Sequence, residues 1–125
     1  MFRVNRSDEG IKWPVHINEP RSGGAVKQHT INVHFIIKGQ ETIDELTNGS
    51  DLEFMLAVID PVKGWEGLTR ESSTNEKGVE EIPYNETELE ALLDIPYIKA
   101  GFIEAYFKCI AGVSSKNSGK RQRTG

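Results

Sequence analysis

Two alternating runs decide the fold: Ile11-Lys12-Trp13-Pro14-Val15-His16-Ile17 and Thr30-Ile31-Asn32-Val33-His34-Phe35-Ile36-Ile37. In the first, Ile11, Trp13, Val15 and Ile17 fall on one side, with Lys12, Pro14, His16 and Asn18 on the other. In the second, Ile31, Val33, Phe35 and Ile37 share a face opposite Thr30, Asn32 and His34. A period of two with one apolar side is the pattern of a half-buried strand. The turn-rich segment Asn18–Gly24 separates the runs, so they read as an antiparallel pair. Pro14 has no N–H to donate, which puts the first strand at an edge or turns that position outward. Phe2 and Val4 supply a third short strand. A sheet with one wet face needs helices over the dry one.

The following sequence provides those helices. Thr42 with Glu45 and Ser50 with Glu53 have capping-box spacing, and Asn85 with Glu88 is an Asn variant. The first box opens a short turn carrying Ile43 and Leu46. The second opens a helix whose Leu52, Met55, Leu56 and Ile59 form one stripe, ended by Asp60-Pro61. The third buries Leu89, Leu92 and Leu93. Pro96 then begins a helix running to about Ala111, with Gly112 as its C′ residue. Trp65 is the one large anchor in Val62–Leu68, and residues 69–81 are polar and read as an exposed tip. The expected fold class is α+β: an antiparallel sheet of two or three strands covered by three or four helices. Trp13, Val15, Val33 and Phe35 should face Leu52, Leu56, Leu89 and Leu93.

At 125 residues the chain fits one domain, with 37% apolar and 27% charged residues. No apolar run approaches the roughly 18 residues of a membrane span, and no signal-peptide pattern opens the chain. The expected compartment is the cytoplasm, and Asn5, Asn48 and Asn85, formal glycosylation acceptors, carry little weight there. One cysteine excludes an internal disulfide. The net charge of −4 conceals +3 over residues 1–40, −12 over 41–94, +1 over 95–112 and +4 over 113–125. The acidic middle repels a phosphate backbone. Residues 1–112 read as a single globular domain, and the polar, basic 113–125 as a disordered tail.

No catalytic set assembles. His16, His29 and His34 lie on strands, and the five-residue step from His29 to His34 puts them on opposite faces, so they cannot share a metal. They read as exposed or edge-strand histidines. Cys109 sits among Phe107, Ile110 and Ala111 and resembles a packed thiol. The carboxylates cluster on helix faces and N-termini, where solvation and the helix dipole account for them. No cofactor is expected. The basic tail lacks interleaved aromatics, which argues against nucleic-acid binding and leaves a tail-dependent regulator as the remotest alternative.

The last helix is different. Lys99, Glu104 and Lys108 are its only charges and read as one narrow strip. Tyr97, Ile98, Phe102, Tyr106, Phe107 and Ile110 belong to the rest of the circumference and are the candidate partner-binding residues. A helix apolar nearly all round is covered on more than one side. Either it is the central core helix, or a side comprising Phe102, Tyr106 and Phe107 meets a partner or a second copy.

Several segments, in order, look familiar. Met1-Phe2-Arg3-Val4-Asn5-Arg6 with Ile11-Lys12-Trp13-Pro14-Val15, then Gly64-Trp65-Glu66-Gly67-Leu68, resemble the small tail assembly chaperones of long-tailed phages and prophages. The best match is Leu89-Glu90-Ala91-Leu92-Leu93-Asp94-Ile95-Pro96-Tyr97-Ile98, followed by Ala105-Tyr106-Phe107 and a Gly112…Lys116-Asn117 end. The resemblance implies a non-enzymatic protein of the host cytoplasm that coats the tape measure protein and keeps it soluble during tail assembly. It also implies a frameshifted longer product that recruits the tail tube protein. The rival expectation is a structural tail or head–tail joining subunit retained in the virion.

Overall fold

Alternation in the two runs becomes a long hairpin. β1 (Ile11–Pro20) and β2 (Val26–Phe35) pair antiparallel in unbroken register from Ile11 opposite Phe35 to Pro20 opposite Val26. The computed structural model describes residues 10–71 and 78–112, so the expectations on Phe2, Val4 and the 113–125 tail lie outside the described residues. Val15, Ile17, Ile31, Val33 and Phe35 are buried on the dry face, as the alternation requires. The turn is shorter than expected, a 3-10 turn at Ser22–Gly24, and the strands run on through Asn18 and Glu19. Cross-strand contacts hold that extension: Gln28 Nε2 donates to Asn18 Oδ1 at 3.1 Å, and His29 Nε2 lies 2.9 Å from Glu19 Oε1.

The described third strand is β3 (Trp65–Glu66), which pairs with β2 at Asn32 and Val33 to give the order β1-β2-β3. A left-handed Gly67 (φ 86°) then turns the chain out of the sheet. The described part of the expected exposed tip is mostly exposed and forms a second hairpin, with β4 (Thr69–Glu71) on β5 (Val79–Glu81). Arg70 fastens it, bonding Glu80 at 2.9 Å and Glu88 at 3.0 Å.

Four helices complete the α+β fold: α1 (Gln40–Leu46), α2 (Asp51–Val58), α3 (Glu86–Leu93) and α4 (Pro96–Ala111). Ser50 and Glu53 form the full reciprocal capping box, and Asn85 Oδ1 accepts the Glu88 N–H at 2.8 Å. The Thr42 box does not form, because α1 starts earlier with Gly39 as its N-cap and Thr42 lies inside the helix. On α2 the stripe is rotated from the expected one. Phe54, Met55 and Val58 are buried while Leu52 and Leu56 are half-buried, because Phe54 packs edge-on against Tyr106 at 5.5 Å. Ile59 has left the helix for an extended conformation and bridges to Phe35.

α4 lies across β1, and Gly101 is what lets it. A Cβ there would stand 2.6 Å from the His16 carbonyl oxygen, a main-chain atom that cannot swing aside. Gly101→Ala therefore forces helix and strand apart and should cost about 1–3 kcal/mol. Thermal unfolding checks this: a lower midpoint is expected, and an unchanged one would show that α4 has room to shift.

Candidate partner-binding surface

The buried residues of α4 are Ile98, Gly101, Phe102, Ala105, Tyr106 and Cys109, steps of three, one, three, one and three that trace a single stripe. Tyr106 is fully buried, edge-on to Phe35 at 5.3 Å. Its hydroxyl donates to the Ile36 carbonyl at 3.1 Å and accepts the Lys38 N–H at 3.2 Å, which pins the segment leaving β2. Burial raises its pKa. Phe102 is fully buried too, 6.2 Å edge-on from Trp65. The Cys109 thiol is packed in the same stripe and pushed up to about 11 by burial.

The candidate set therefore divides. Phe102 and Tyr106 are core of this chain with no free surface to offer a partner, and Ile98 keeps only a 9% exposed edge. Tyr97 and Ile110 are half-buried, and Phe107 is 38% exposed with its ring 5.7 Å from that of Phe54. Ile103, outside that set, is half-buried at i−4 from Phe107. Ile103, Phe107 and Ile110 make a second apolar stripe beside the core stripe, with α2 supplying Phe54 as a backing ring.

The charges do not form one strip. Glu104 and Lys108 pair with each other at 3.1 Å, whereas Lys99 reaches Asp51 at the start of α2, also at 3.1 Å. Helical geometry separates them, since Lys99 is some 140° around the axis from Glu104. Lys99 therefore falls on the arc between Tyr106 and Ile110, at its N-terminal end, and the apolar stretch towards Phe107 continues only C-terminal of it.

The cluster richest in chemistry is elsewhere, where β2, β3 and the Asp60 turn meet. His34 is only 7% exposed, contrary to the reading of exposed or edge-strand histidines, because Gly10 packs on its Cβ and Glu66 covers the ring. Its Nε2 donates to Glu66 Oε2 at 2.8 Å, and Lys12 Nζ sits 3.3 Å from Glu66 Oε1. Asp60 accepts the Val62, Lys63 and Gly10 N–H groups at 2.9, 3.2 and 3.1 Å. In the sequence, Asp60-Pro61 reads as a helix stop. An Asp two residues before a donor N–H is also the signature of a side-chain turn, and that signal was available. Among the described residues no group of three or more His, Cys, Asp or Glu is placed to hold a metal. No described helix is long and apolar enough to cross a membrane. Comparison with protein-family models, curated proteins and solved structures finds no match to the chain.

Both carboxylates in the cluster titrate below their ordinary values. The Val62 N–H, then that of Lys63, lowers Asp60, and the His34 bond, then that of Lys12, lowers Glu66. A carboxyl whose pKa is depressed by folding adds stability above its unfolded pKa and loses it as pH falls through the folded value. Urea unfolding between about pH 5 and pH 2 should show falling stability. Asp60→Asn should be less stable at neutral pH and should fall less steeply with acid. Equal slopes for variant and wild type would remove Asp60 from the linkage.

Proposed function

We propose that the chain is a non-enzymatic tail assembly chaperone of long-tailed phages, which holds the tape measure protein soluble in the host cytoplasm. The observation that carries this reading is the Ile103–Phe107–Ile110 stripe, left partly exposed after the same helix has supplied a complete core stripe. Apolar rings on a helix whose inner face is already satisfied suit the apolar side of another helix, and a tape measure protein is a long, largely helical chain. The resemblance of the opening, the Gly64–Leu68 segment and the Leu89–Ile98 segment to such chaperones supports the same reading. A longer frameshifted product carrying a tube-binding domain, and self-association of the free chain through the same stripe, belong to this proposal.

Two substitutions separate core from surface. Phe102→Ala should cost about 3–5 kcal/mol, the usual loss for a fully buried ring. Phe107→Glu should leave the circular dichroism spectrum unchanged and lower the midpoint much less than Phe102→Ala, because the ring is 38% exposed. On co-expression, wild type should keep the tape measure protein in the soluble fraction and Phe107→Glu should not. If the tape measure protein is equally soluble with wild type, with the variant and with neither, the chaperone reading fails. Mass spectrometry of purified virions tests the rival class, since a structural subunit would be present in many copies.

A further inference from the structure

The two edges of the sheet are finished differently. Antiparallel partners alternate between hydrogen-bonded and non-hydrogen-bonded pairs. Pro14, which has no N–H, faces Asn32, so that pair is of the second kind. The His34 N–H accordingly goes outward to the Gly64 carbonyl at 2.8 Å, and the His34 carbonyl accepts the Asp60 N–H at 2.8 Å. Even-numbered residues of both strands therefore turn their main-chain groups away from the hairpin. On β1 this outer edge carries Pro14 and Pro20, which have nothing to donate, and α4 is pressed against it at His16.

On β2 the outer edge is paired at Asn32 and then abandoned. Gly67 diverts the chain, and the Leu68 carbonyl is taken by the Ile82 N–H at 2.9 Å. Gln28 and Thr30 thus point main-chain donors and acceptors at an edge where no described strand pairs with them. Val26–Thr30 are all exposed, Val26 by 61%. Beside this edge, on the dry side, lies a cavity of about 420 Å³ floored by Ile17, Ile31 and Ile98, with Leu68 and Tyr97 in its walls. Lys27 is also on that side. Its cross-strand neighbour Glu19 is engaged by His29 at 2.9 Å and Arg21 at 3.1 Å, which leaves Lys27 without an ion pair among the described residues.

We propose that the Val26–Thr30 edge of β2 is a docking site for an extended segment of a partner chain. The segment adds as a strand, sets an acidic side chain opposite Lys27 and drops a bulky apolar one, two residues along, over the cavity. Main-chain bonds to Gln28 and Thr30 supply the affinity, and the cation and cavity supply the choice of sequence. Charge decides the occupant. A second copy pairing antiparallel through the same five residues would set Lys27 against His29, and Val26–Thr30 contains no carboxylate to meet Lys27. The outer stripe of α4 plays no part, so this site stands or falls apart from the chaperone reading.

The test is titration of the nitrogen-15-labelled full chain with a capped hexapeptide, Thr-Glu-Thr-Leu-Thr-Thr. The Gln28 and Thr30 amides should shift and exchange more slowly. Binding should weaken at least about tenfold when Lys replaces Glu in the peptide, and similarly in the Gln28→Pro variant. That substitution removes the side-chain bond to Asn18 but keeps the main-chain bonds of the hairpin, because the Gln28 N–H is outward like the positions of Pro14 and Pro20. Lys27→Glu should reverse the preference towards the Lys peptide, which decides the matter even if Gln28→Pro fails to fold. Undisturbed Gln28 and Thr30 amides, indifference to Lys27→Glu, or concentration-dependent protection of these amides in the protein alone would overturn the proposal, the last in favour of a second copy.

Discussion

Asp60 is the residue on which the arrangement of the sheet depends. Its side chain accepts three N–H groups, from Gly10, Val62 and Lys63, and its own main chain bonds His34 and Gly64. Those five bonds join the start of β1, the end of β2 and the turn that leads to β3. Pro61 alone would have ended α2 without saying where the chain went next. With the carboxylate holding the turn, Trp65 is delivered opposite Val33. Its indole N–H then donates to the Ile82 carbonyl at 2.7 Å and its ring meets Tyr84 edge-on at 4.9 Å. One turn thereby sets the third strand and anchors the second hairpin. An unpaired buried acceptor or donor costs about 1–3 kcal/mol, so a single change at this convergence is felt by three parts of the fold at once.

α4 depends on that arrangement in turn. Phe102 packs against Trp65, Tyr106 against Phe35 and Phe54, and Gly101 against the β1 main chain. A ring contact of this edge-on kind adds roughly 0.5–1.5 kcal/mol beyond the area it buries. The sheet thus occupies one side of the helix and α2 part of the next. Phe107 is where coverage runs out, and a helix that looked over-supplied with apolar side chains proves to be over-supplied by one narrow stripe.

The hairpin was legible because strict alternation admits only one register once a face is buried: a one-residue slip would have exposed Val15, Val33 and Phe35 together. The Ser50 and Asn85 caps were legible for a similar reason, since each is a local exchange between residues three apart. The orientation of α2 was not. Leu52 through Ile59 is apolar except for Glu53, so several stripes fit the period equally well, and only the contact of Phe54 with Tyr106 chooses. The second hairpin was hidden because Thr69–Glu71 and Val79–Glu81 carry almost no apolar signal and are held by Arg70 and Ile82 rather than by a core. The burial of His34 was hidden because its covers, Gly10 and Glu66, are distant in sequence.

The candidate surface was half legible for a reason of its own. Composition shows that α4 has more apolar residues than one face needs, but which of them are surplus is a remainder, known only after the sheet has taken its share. Phe102 and Phe107 are chemically identical and five residues apart, yet one is fully buried and the other is not. The remainder is small, a stripe of about three side chains, well below the 1,200–2,000 Å² of a standard stable interface. On the proposed reading that smallness is useful. A single weak contact lets go readily, while many copies along one long helical partner cover it through repeated contacts. A chaperone that gives way to polymerising tube subunits needs that combination, and a larger exposed patch would instead favour aggregation of the free protein.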